Sequence, residues 1–490
     1  MHSPTLLTLG LAAAFAPLAA AHTVFTTLFI NDVNQGDGTC VRMAKQGNIA
    51  THPVNLNSDD VACGRNGNEA VAFTCPAPAG AKLTLLFRMW ADGSQPGSID
   101  PSHVGPMSIY LKQVSDMTTS SAAGPGWFKI WSEGYDTTAR KWATEKLIAN
   151  NGLLSINLPS GLPAGYYLAR HEIITIQNVT NNKADPQFYV GCAQLFVQGT
   201  GSASIPKDKT VSIPGHLSAS DPALIFNPYT QNPATYPSFG PAVFFPAAPD
   251  SGSGNKQPQQ QTLTQTTGVI PQTCLLKNAN WCGVEVPDYT NEATCWKSAE
   301  NCWNQLDVCY NTAPPSGSKG CRIWQDQKCA VLQQACESRR FRGPENKGQK
   351  LDQAEVNSAL PPGGIPQAVN AGQRGDQVPV PSAVGADGAG NEDGDGEEVV
   401  VDQDLGAAPP VSEPTTTTTT TAEVKTPSSS STAEPVPTET ESGEPEERGE
   451  TTTAAATLST TPTPTPTVNS CSGSRRYRRP RRHRRRRGMN

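Results

Sequence analysis

Residues 22–248 are predicted to form an all-β domain, an immunoglobulin/fibronectin-like antiparallel β-sandwich. Two observations favour this fold. Apolar residues come in short runs or in alternation, which is typical of strands, and helical periodicity is rare. Gly, Pro, Asn and Asp separate the runs, as expected for the turns of an antiparallel sheet. Such runs occur at residues 71–74, 83–87, 107–111, 153–158 and 194–197, and residues 138–150 are a candidate short helix.

The composition shows that the chain cannot bury a core along its whole length. Only 36% of its 490 residues are hydrophobic, and Gly and Pro contribute 43 each, so part of it is expected to be linker or disordered tail. We predict six regions: a signal peptide (1–21), the β-sandwich (22–248), a linker (249–272), a Cys-rich helical module (273–337), a disordered low-complexity Ser/Thr/Pro and acidic region (338–470), and an Arg-rich tail (471–490).

The first 21 residues have the pattern of a secretory signal peptide. An apolar run from Leu6 to Leu18 precedes the small residues Ala19, Ala20 and Ala21, which form a cleavage site. The run is too short to span a bilayer. We therefore predict a secreted, extracellular protein whose cysteines are mostly paired.

The charge of the chain is divided unequally. Ten of its 38 basic residues lie in the Arg-rich tail, which has no Asp or Glu, so the rest of the chain is strongly acidic. This distribution argues against a nucleic-acid partner. In a secreted protein the tail is expected to bind an anionic surface: cell-wall polymers, phospholipid headgroups or the acidic segment of the chain itself. Our hypothesis is that it retains the protein at the cell wall; a solvated, dispensable tail is the alternative.

The 13 cysteines fall into regions of even count. Four lie in the β region, eight in the Cys-rich module, and Cys471 is left over. Three pairings are open for the four and 105 for the eight. The seven-residue spacing of Cys295, Cys302 and Cys309 places them on one helix stripe, which predicts two or three helices joined by disulfides. A zinc site is the alternative, disfavoured because the module has no His and no C-x-x-C.

Cleavage after Ala21 would make His22 the first residue of the mature chain. Its α-amine and its ring Nδ1 can then chelate one metal ion, and both lose a proton readily near neutral pH. One further imidazole completes a planar set of three nitrogens, which suits Cu(II).

Several motifs of the β region together resemble one known family. They are His22-Thr23-Val24-Phe25, Asn34-Gln35-Gly36-Asp37-Gly38, Ser58-Asp59-Asp60-Val61-Ala62-Cys63-Gly64, the run at residues 93–106 that contains His103, and Asp185-Pro186-Gln187-Phe188-Tyr189-Val190-Gly191-Cys192. In this order they are similar to the fungal lytic polysaccharide monooxygenases of auxiliary activity family 9 (formerly glycoside hydrolase family 61). The Cys-rich module and the Arg-rich tail resemble, more weakly, extensions found in some members.

This resemblance implies a copper site. His22 would supply the amine and Nδ1, His103 would supply Nε2, and Tyr189 would lie axially. Gln187 would hydrogen-bond the oxygen co-substrate at the copper, and Cys63 would pair with Cys192.

The resemblance also implies the reaction and its partners. An external electron donor would reduce one copper per chain, and O2 or H2O2 would be activated to attack C1 and/or C4 of a cellulose-like β-1,4-glucan. We expect a monomer. Tyr236 is expected to stack on glucose rings at the flat copper face, with loop packing as the alternative.

Gln177 departs from the family pattern, because it occupies the position of a His that the family usually places beside the copper. Gln can donate a hydrogen bond but cannot titrate. His171 is a poor substitute, since six residues of strand separate the two positions by ~20 Å. Two alternatives therefore stay open: a non-catalytic copper- or polysaccharide-binding cell-wall protein, and a wall anchor that acts through the module and tail. Asn178 begins a glycosylation sequon next to this position.

Overall fold

The computed structural model describes residues 22–47, 49–247, 263–357 and 359–369. The predicted signal peptide, most of the predicted linker, most of the low-complexity region and the whole Arg-rich tail lie outside these residues. No helix within the described ranges is long and apolar enough to cross a membrane.

The described chain contains a β-rich part followed by a helical part. The strands are β1 (Val24–Ile30), β2 (Val33–Asp37), β3 (Val41–Arg42), β4 (Cys75–Pro78), β5 (Lys82–Arg88), β6 (Met107–Val114), β7 (Gly124–Glu133), β8 (Tyr135–Asp136), β9 (Lys141–Trp142), β10 (Leu153–Asn157), β11 (Gly165–Thr175), β12 (Val179–Thr180), β13 (Lys183–Ala184), β14 (Gln187–Gln198), β15 (Val211–Ile213), β16 (Leu276–Asn278) and β17 (Trp281–Gly283). The helices are α1 (Asp60–Cys63), α2 (Ala143–Ala149), α3 (Glu292–Thr312), α4 (Lys319–Trp324), α5 (Ala330–Glu337) and α6 (Gln353–Val356), with a π-helical segment at Gln325–Cys329 and 3₁₀ turns at Lys207–Lys209 and Pro233–Thr235.

Two sheets form the sandwich, which confirms the predicted fold class. One has the strand order β10-β5-β1-β2, and the other has the order β15-β7-β6-β11-β14-β3. Every pairing in these two orders is antiparallel, and β4 adds to β14 in parallel. This is the architecture that short alternating runs predict.

Strand β11 is buried on both faces, because its side chains pack into two different cores. Tyr167, Ala169 and Ile173 point into the core between the two sheets. Leu168 and Ile174 point into a second core, where the C-terminal segment of the β region covers the outer face of the larger sheet. Because both faces are covered, even the three consecutive polar residues in the middle of the strand (170–172) are buried.

The candidate helix at residues 138–150 occupies a shorter stretch. Helix α2 begins only after Trp142, because β8 and β9 pair as a small hairpin just before it. The Glu145 carboxylate accepts a hydrogen bond from the Trp142 backbone N–H at 2.7 Å, which fixes the start of the helix.

Disulfides join the helices of the Cys-rich module to one another, through the cysteine stripe of α3 that the spacing predicted. Cys295, Cys302 and Cys309 of α3 pair in reverse order with Cys336, Cys329 and Cys321 of the returning helices, and Cys274 pairs with Cys282. All eight cysteines of the module are therefore in disulfides, which overturns the zinc alternative.

The module packs directly on the β-sandwich. The Asn280 side chain donates to the Gly38 carbonyl at 2.8 Å and accepts from the Cys40 backbone N–H at 2.9 Å. Gly38 has φ 75°, and a Cβ there would lie 2.8 Å from that of Ala279, so this approach needs glycine.

The ordered contacts extend beyond the boundaries expected from composition. Within the predicted linker, the backbone N–H groups of Thr266 and Thr267 donate to the Tyr166 hydroxyl. Past residue 337, the Val369 N–H donates to the Ser155 carbonyl. These segments are polar or Pro-rich, so their contacts with the sandwich have no signature in local composition.

Candidate metal centre

His22, His103 and Tyr189 meet at one end of the β-sandwich. His22 precedes β1, His103 lies in the loop between β5 and β6, and Tyr189 is the third residue of β14. The Tyr189 ring centroid is 6.4 Å from that of His22 and 6.0 Å from that of His103. Three of the residues that the resemblance named are thus brought together from positions far apart in the chain.

The loop around His103 fixes the orientation of its ring. The Ser102 hydroxyl donates to the Asp100 carboxylate at 2.6 Å, and the same oxygen lies 3.2 Å from Nδ1 of His103. Because that hydroxyl has given its one proton to Asp100, we assign the proton on the imidazole to Nδ1. The lone pair of Nε2 is then free to bind a metal, and Asp100 and Ser102 orient the ring from behind.

The surroundings favour the neutral form of both imidazoles, which is the form that binds a metal. Burial lowers the pKa of His22 below its ordinary value, and the nearby His52, His103 and Arg65 lower it further. Burial also lowers the pKa of His103, although Asp100 and Gln187 oppose this shift.

The atoms of His22 fit a metal ligand. Its Nδ1 is buried and has no hydrogen-bond partner among the described residues, which is costly for a polar atom unless something binds it. No group of three or more His, Cys, Asp or Glu side chains within the described ranges is arranged to hold a metal. Two imidazoles therefore need a donor of another type, and the α-amine of a chain beginning at His22 is of that type.

Gln187 is held by one side chain of its own strand and by two from β11 and the residues just after it. The Tyr189 hydroxyl donates to its side-chain oxygen at 2.8 Å, and Nε2 of Gln177 donates to the same atom at 3.1 Å. The Thr175 hydroxyl approaches that oxygen at 3.5 Å, in keeping with the register of β11 and β14, which pairs Thr175 with Gln187. With its oxygen occupied, Gln187 presents its amide NH2 group as a donor.

Gln177 lies within hydrogen-bonding reach of Gln187. Its side-chain oxygen is buried and has no hydrogen-bond partner in the described part of the chain. His171 takes no part here. It is buried in the core against Phe25 and Phe87, and burial lowers its pKa to about 3.

Sequence reasoning did not identify His52, whose ring stacks on that of His22 with centroids 4.2 Å apart. The loop that contains it is anchored at two points. The Val54 N–H bonds the Phe188 carbonyl at 2.9 Å, and an Arg65 guanidinium N–H bonds the His52 carbonyl at 2.8 Å. Both anchors are long-range contacts, and no local pattern predicts them.

The expected stacking role of Tyr236 is corrected by the structure. Its ring packs edge-on against Trp142 and Phe226, and its hydroxyl donates to the Ala223 carbonyl at 3.1 Å. Tyr229 is the exposed ring, with 68% of its surface accessible. Its hydroxyl donates to the Gln177 carbonyl at 3.0 Å, which places it beside the site.

Two disulfides fasten the β region. Cys63 pairs with Cys192, as the resemblance implied, and Cys40 pairs with Cys75. The first bond joins α1 to β14 three residues after Tyr189, so the strand that holds Tyr189 and Gln187 is fixed near its middle.

Comparison with known proteins gives one consistent family. A model described as Auxiliary Activity family 9 (formerly GH61) matches residues 22–236. AA9 family lytic polysaccharide monooxygenase H of Botryotinia fuckeliana is 49% identical over 346 residues, covering 69% of this chain and 78% of the relative. AA9 family lytic polysaccharide monooxygenase C of Aspergillus tamarii is 49% identical over 340 residues, covering 69% of this chain and 90% of the relative.

A solved structure named CvAA9A is 35% identical, with a TM-score of 0.41, and covers 46% of this chain and 98% of that one. The alignments with the two relatives are longer than the match to the family model, so they include residues outside the matched domain.

Proposed function

This chain belongs to Auxiliary Activity family 9, the copper-dependent, polysaccharide-oxidising monooxygenases, and from that premise we propose that it cleaves cellulose-like β-1,4-glucan. Attack at C1 and/or C4 is part of the proposal. Members of the family are secreted, and they take electrons from an external reductant.

The proposal depends most on one observation, the buried and unpartnered Nδ1 of His22 beside His103 and Tyr189. The α-amine and Nδ1 of His22 and Nε2 of His103 would hold the copper, with the Tyr189 hydroxyl beside it. Tyr189 is 2% exposed. Burial raises the pKa of its hydroxyl, so it stays protonated and is a weak ligand.

Copper supplies one-electron redox chemistry to the site when it is bound. With O2, one oxygen atom enters a C–H bond of the sugar, and the other leaves as water after two electrons from the reductant and two protons are added. With H2O2, the same insertion releases water and needs no further electrons. The hydroxylated carbon then eliminates the neighbouring glycosidic oxygen, and the chain breaks.

The side chains around the metal have separate tasks. Gln187 donates from its amide NH2 to the oxygen co-substrate, because its own oxygen is already bonded to Tyr189 and Gln177. Gln177 holds Gln187 in that orientation and supplies no proton. Tyr229 offers an exposed ring to a glucose unit next to the site.

A paired expression experiment tests this function. One form begins at His22, and the other retains Ala21 and so has an amide in place of the amine. Each is loaded with copper, given a reductant and incubated with cellulose. We expect oxidised oligosaccharides from the first form alone. The proposal fails if neither form releases them, or if both release them equally.

A further inference from the structure

Helix α3 presents three aromatic side chains at equal intervals. Trp296, Trp303 and Tyr310 are seven residues apart, and each directly follows a cysteine of the buried stripe. Trp296 is 41% exposed and Tyr310 is 42% exposed. Trp303, between them, is partly buried against the module core. Since 3.6 residues make one turn, a seven-residue interval keeps all three on one stripe of the helix.

Two carboxylates alternate with the rings along this stripe. Glu300 lies four residues after Trp296, and Asp307 lies four residues after Trp303; both are exposed. We call the five residues Trp296, Glu300, Trp303, Asp307 and Tyr310 the α3 ridge. Its order of ring, carboxylate, ring, carboxylate, ring gives apolar faces separated by hydrogen-bond acceptors.

The ridge has a rigid base. Three disulfides fix the adjacent stripe of α3 to the returning helices. At one end, the Tyr310 hydroxyl donates to the Gln325 side chain at 3.2 Å. The helix that carries the rings is therefore already ordered before a ligand binds, which favours binding by a shallow surface.

We propose that the α3 ridge is a second glucan-binding site, which holds an extended β-1,4-glucan chain along the helix. The proposal rests on the substrate class proposed above. Seven residues of α-helix rise about 10.5 Å, which is close to the length of one cellobiose unit in an extended chain. Alternate glucose rings of such a chain present the same apolar face, so each aromatic ring meets an equivalent sugar face.

The carboxylates of the α3 ridge match the hydroxyl-bearing edges of the sugar rings. A sugar ring edge carries hydroxyl groups, which donate hydrogen bonds to Glu300 and Asp307, and hydrogen bonds to charged groups are the stronger ones. A protein partner has no such two-ring repeat. Pairing with a second copy of the chain would place these carboxylates of both ridges close together, which is unfavourable.

The test measures how the full chain, loaded with copper and without reductant, distributes between solution and crystalline cellulose. The variant Trp296→Ala/Tyr310→Ala removes the two exposed rings. We expect its partition onto cellulose to fall about tenfold, which corresponds to a loss of ~1.4 kcal/mol for the two ring contacts together. Trp296→Tyr/Tyr310→Phe keeps both rings and should bind as the parent does. Val308→Ala removes an exposed apolar side chain off the ridge and should change nothing.

Each contrary result has a defined meaning. Equal binding of the double alanine variant and the parent overturns the proposal, as does a parent chain that does not bind cellulose. Sedimentation that shows ridge-dependent dimers also overturns it. Oxidation of a soluble cello-oligosaccharide is measured in parallel. If the parent chain binds cellulose through the ridge but does not oxidise the oligosaccharide, the proposed function alone is refuted. If the parent chain oxidises the oligosaccharide but its binding to cellulose does not depend on the ridge, the ridge proposal alone is refuted.

Discussion

The side-chain nitrogen of Gln177 donates a hydrogen bond to the side-chain oxygen of Gln187 at 3.1 Å. This contact joins a residue that departs from the family pattern to the residue proposed to face the oxygen co-substrate. It shows what Gln177 can do, which is to orient Gln187, and what it cannot do, which is to deliver a proton.

Replacing Gln177 by a titratable residue should therefore add a proton donor to the site. We expect Gln177→His to keep the bond to Gln187 and to raise the oxidation rate about tenfold or more, because a positioned general acid typically contributes at least that much. The gain should be larger below the pKa of the new imidazole, where it is protonated. Rates on a soluble glucan across pH measure this.

The control for that experiment is Gln177→Ala, which loses the bond to Gln187 and should oxidise more slowly than the parent. Identical pH profiles for the parent and the histidine variant would contradict the role assigned to this position.

His52 should position the first residue of the mature chain. We expect His52→Ala to weaken copper binding by about threefold to tenfold, since a stacked aromatic pair contributes ~0.5–1.5 kcal/mol. The loop should keep its path, because Arg65 bonds the backbone carbonyl of His52 and not its ring. Calorimetric titration with Cu(II) measures the change. His52→Phe, which retains a ring, should restore affinity, and equal affinities for alanine and phenylalanine would refute the stacking role.

His171 should make the fold less stable in acid. Burial lowers its pKa to about 3 in the folded protein, whereas the unfolded chain titrates near the ordinary value of ~6.5. Between these values the unfolded state binds a proton that the folded state does not, so stability falls as pH falls through this range.

In the variant His171→Leu, residue 171 cannot titrate. Between neutral pH and pH ~3.5 the melting temperature of the variant should fall by several degrees less than that of the parent, since only the parent has this proton linkage. Thermal unfolding at a series of pH values measures the difference. Parallel curves for the two proteins would show that His171 makes no such contribution.

Asn280 should tie the module to the β-sandwich. Removing its side chain by Asn280→Ala leaves the Gly38 carbonyl and the Cys40 N–H without this partner, and we expect a loss of about 1–3 kcal/mol in the free energy of unfolding. Denaturant titration measures it. Asn304→Ala, at an exposed position of α3, is the matched control, and equal stability of the two variants would mean that the interface does not depend on Asn280.

Local pattern was enough for the sandwich and for the cysteine stripe of α3, because strand alternation and helix periodicity are properties of neighbouring residues. The partners of Cys295, Cys302 and Cys309 could not be predicted, since they depend on how the chain returns. The same holds for His52, which reaches His22 only because Val54 pairs with Phe188.

Tyr229 and Tyr236 lie in one Pro-rich segment with no distinguishing pattern. Tyr236 is covered because its ring packs against Trp142 and Phe226, and the contact with Trp142 is between residues far apart in the chain. The proposed copper ligands were found by resemblance, since His103 and Tyr189 alone have no spacing that identifies a metal site.

The most direct test of the copper assignment is a calorimetric titration of the apoprotein with Cu(II), on a chain that begins at His22 and on one that retains Ala21. The amine-and-imidazole centre predicts tight binding of one ion to the first form and far weaker binding to the second. Equal affinities would show that the terminal amine is not a ligand, and the proposed site would be refuted.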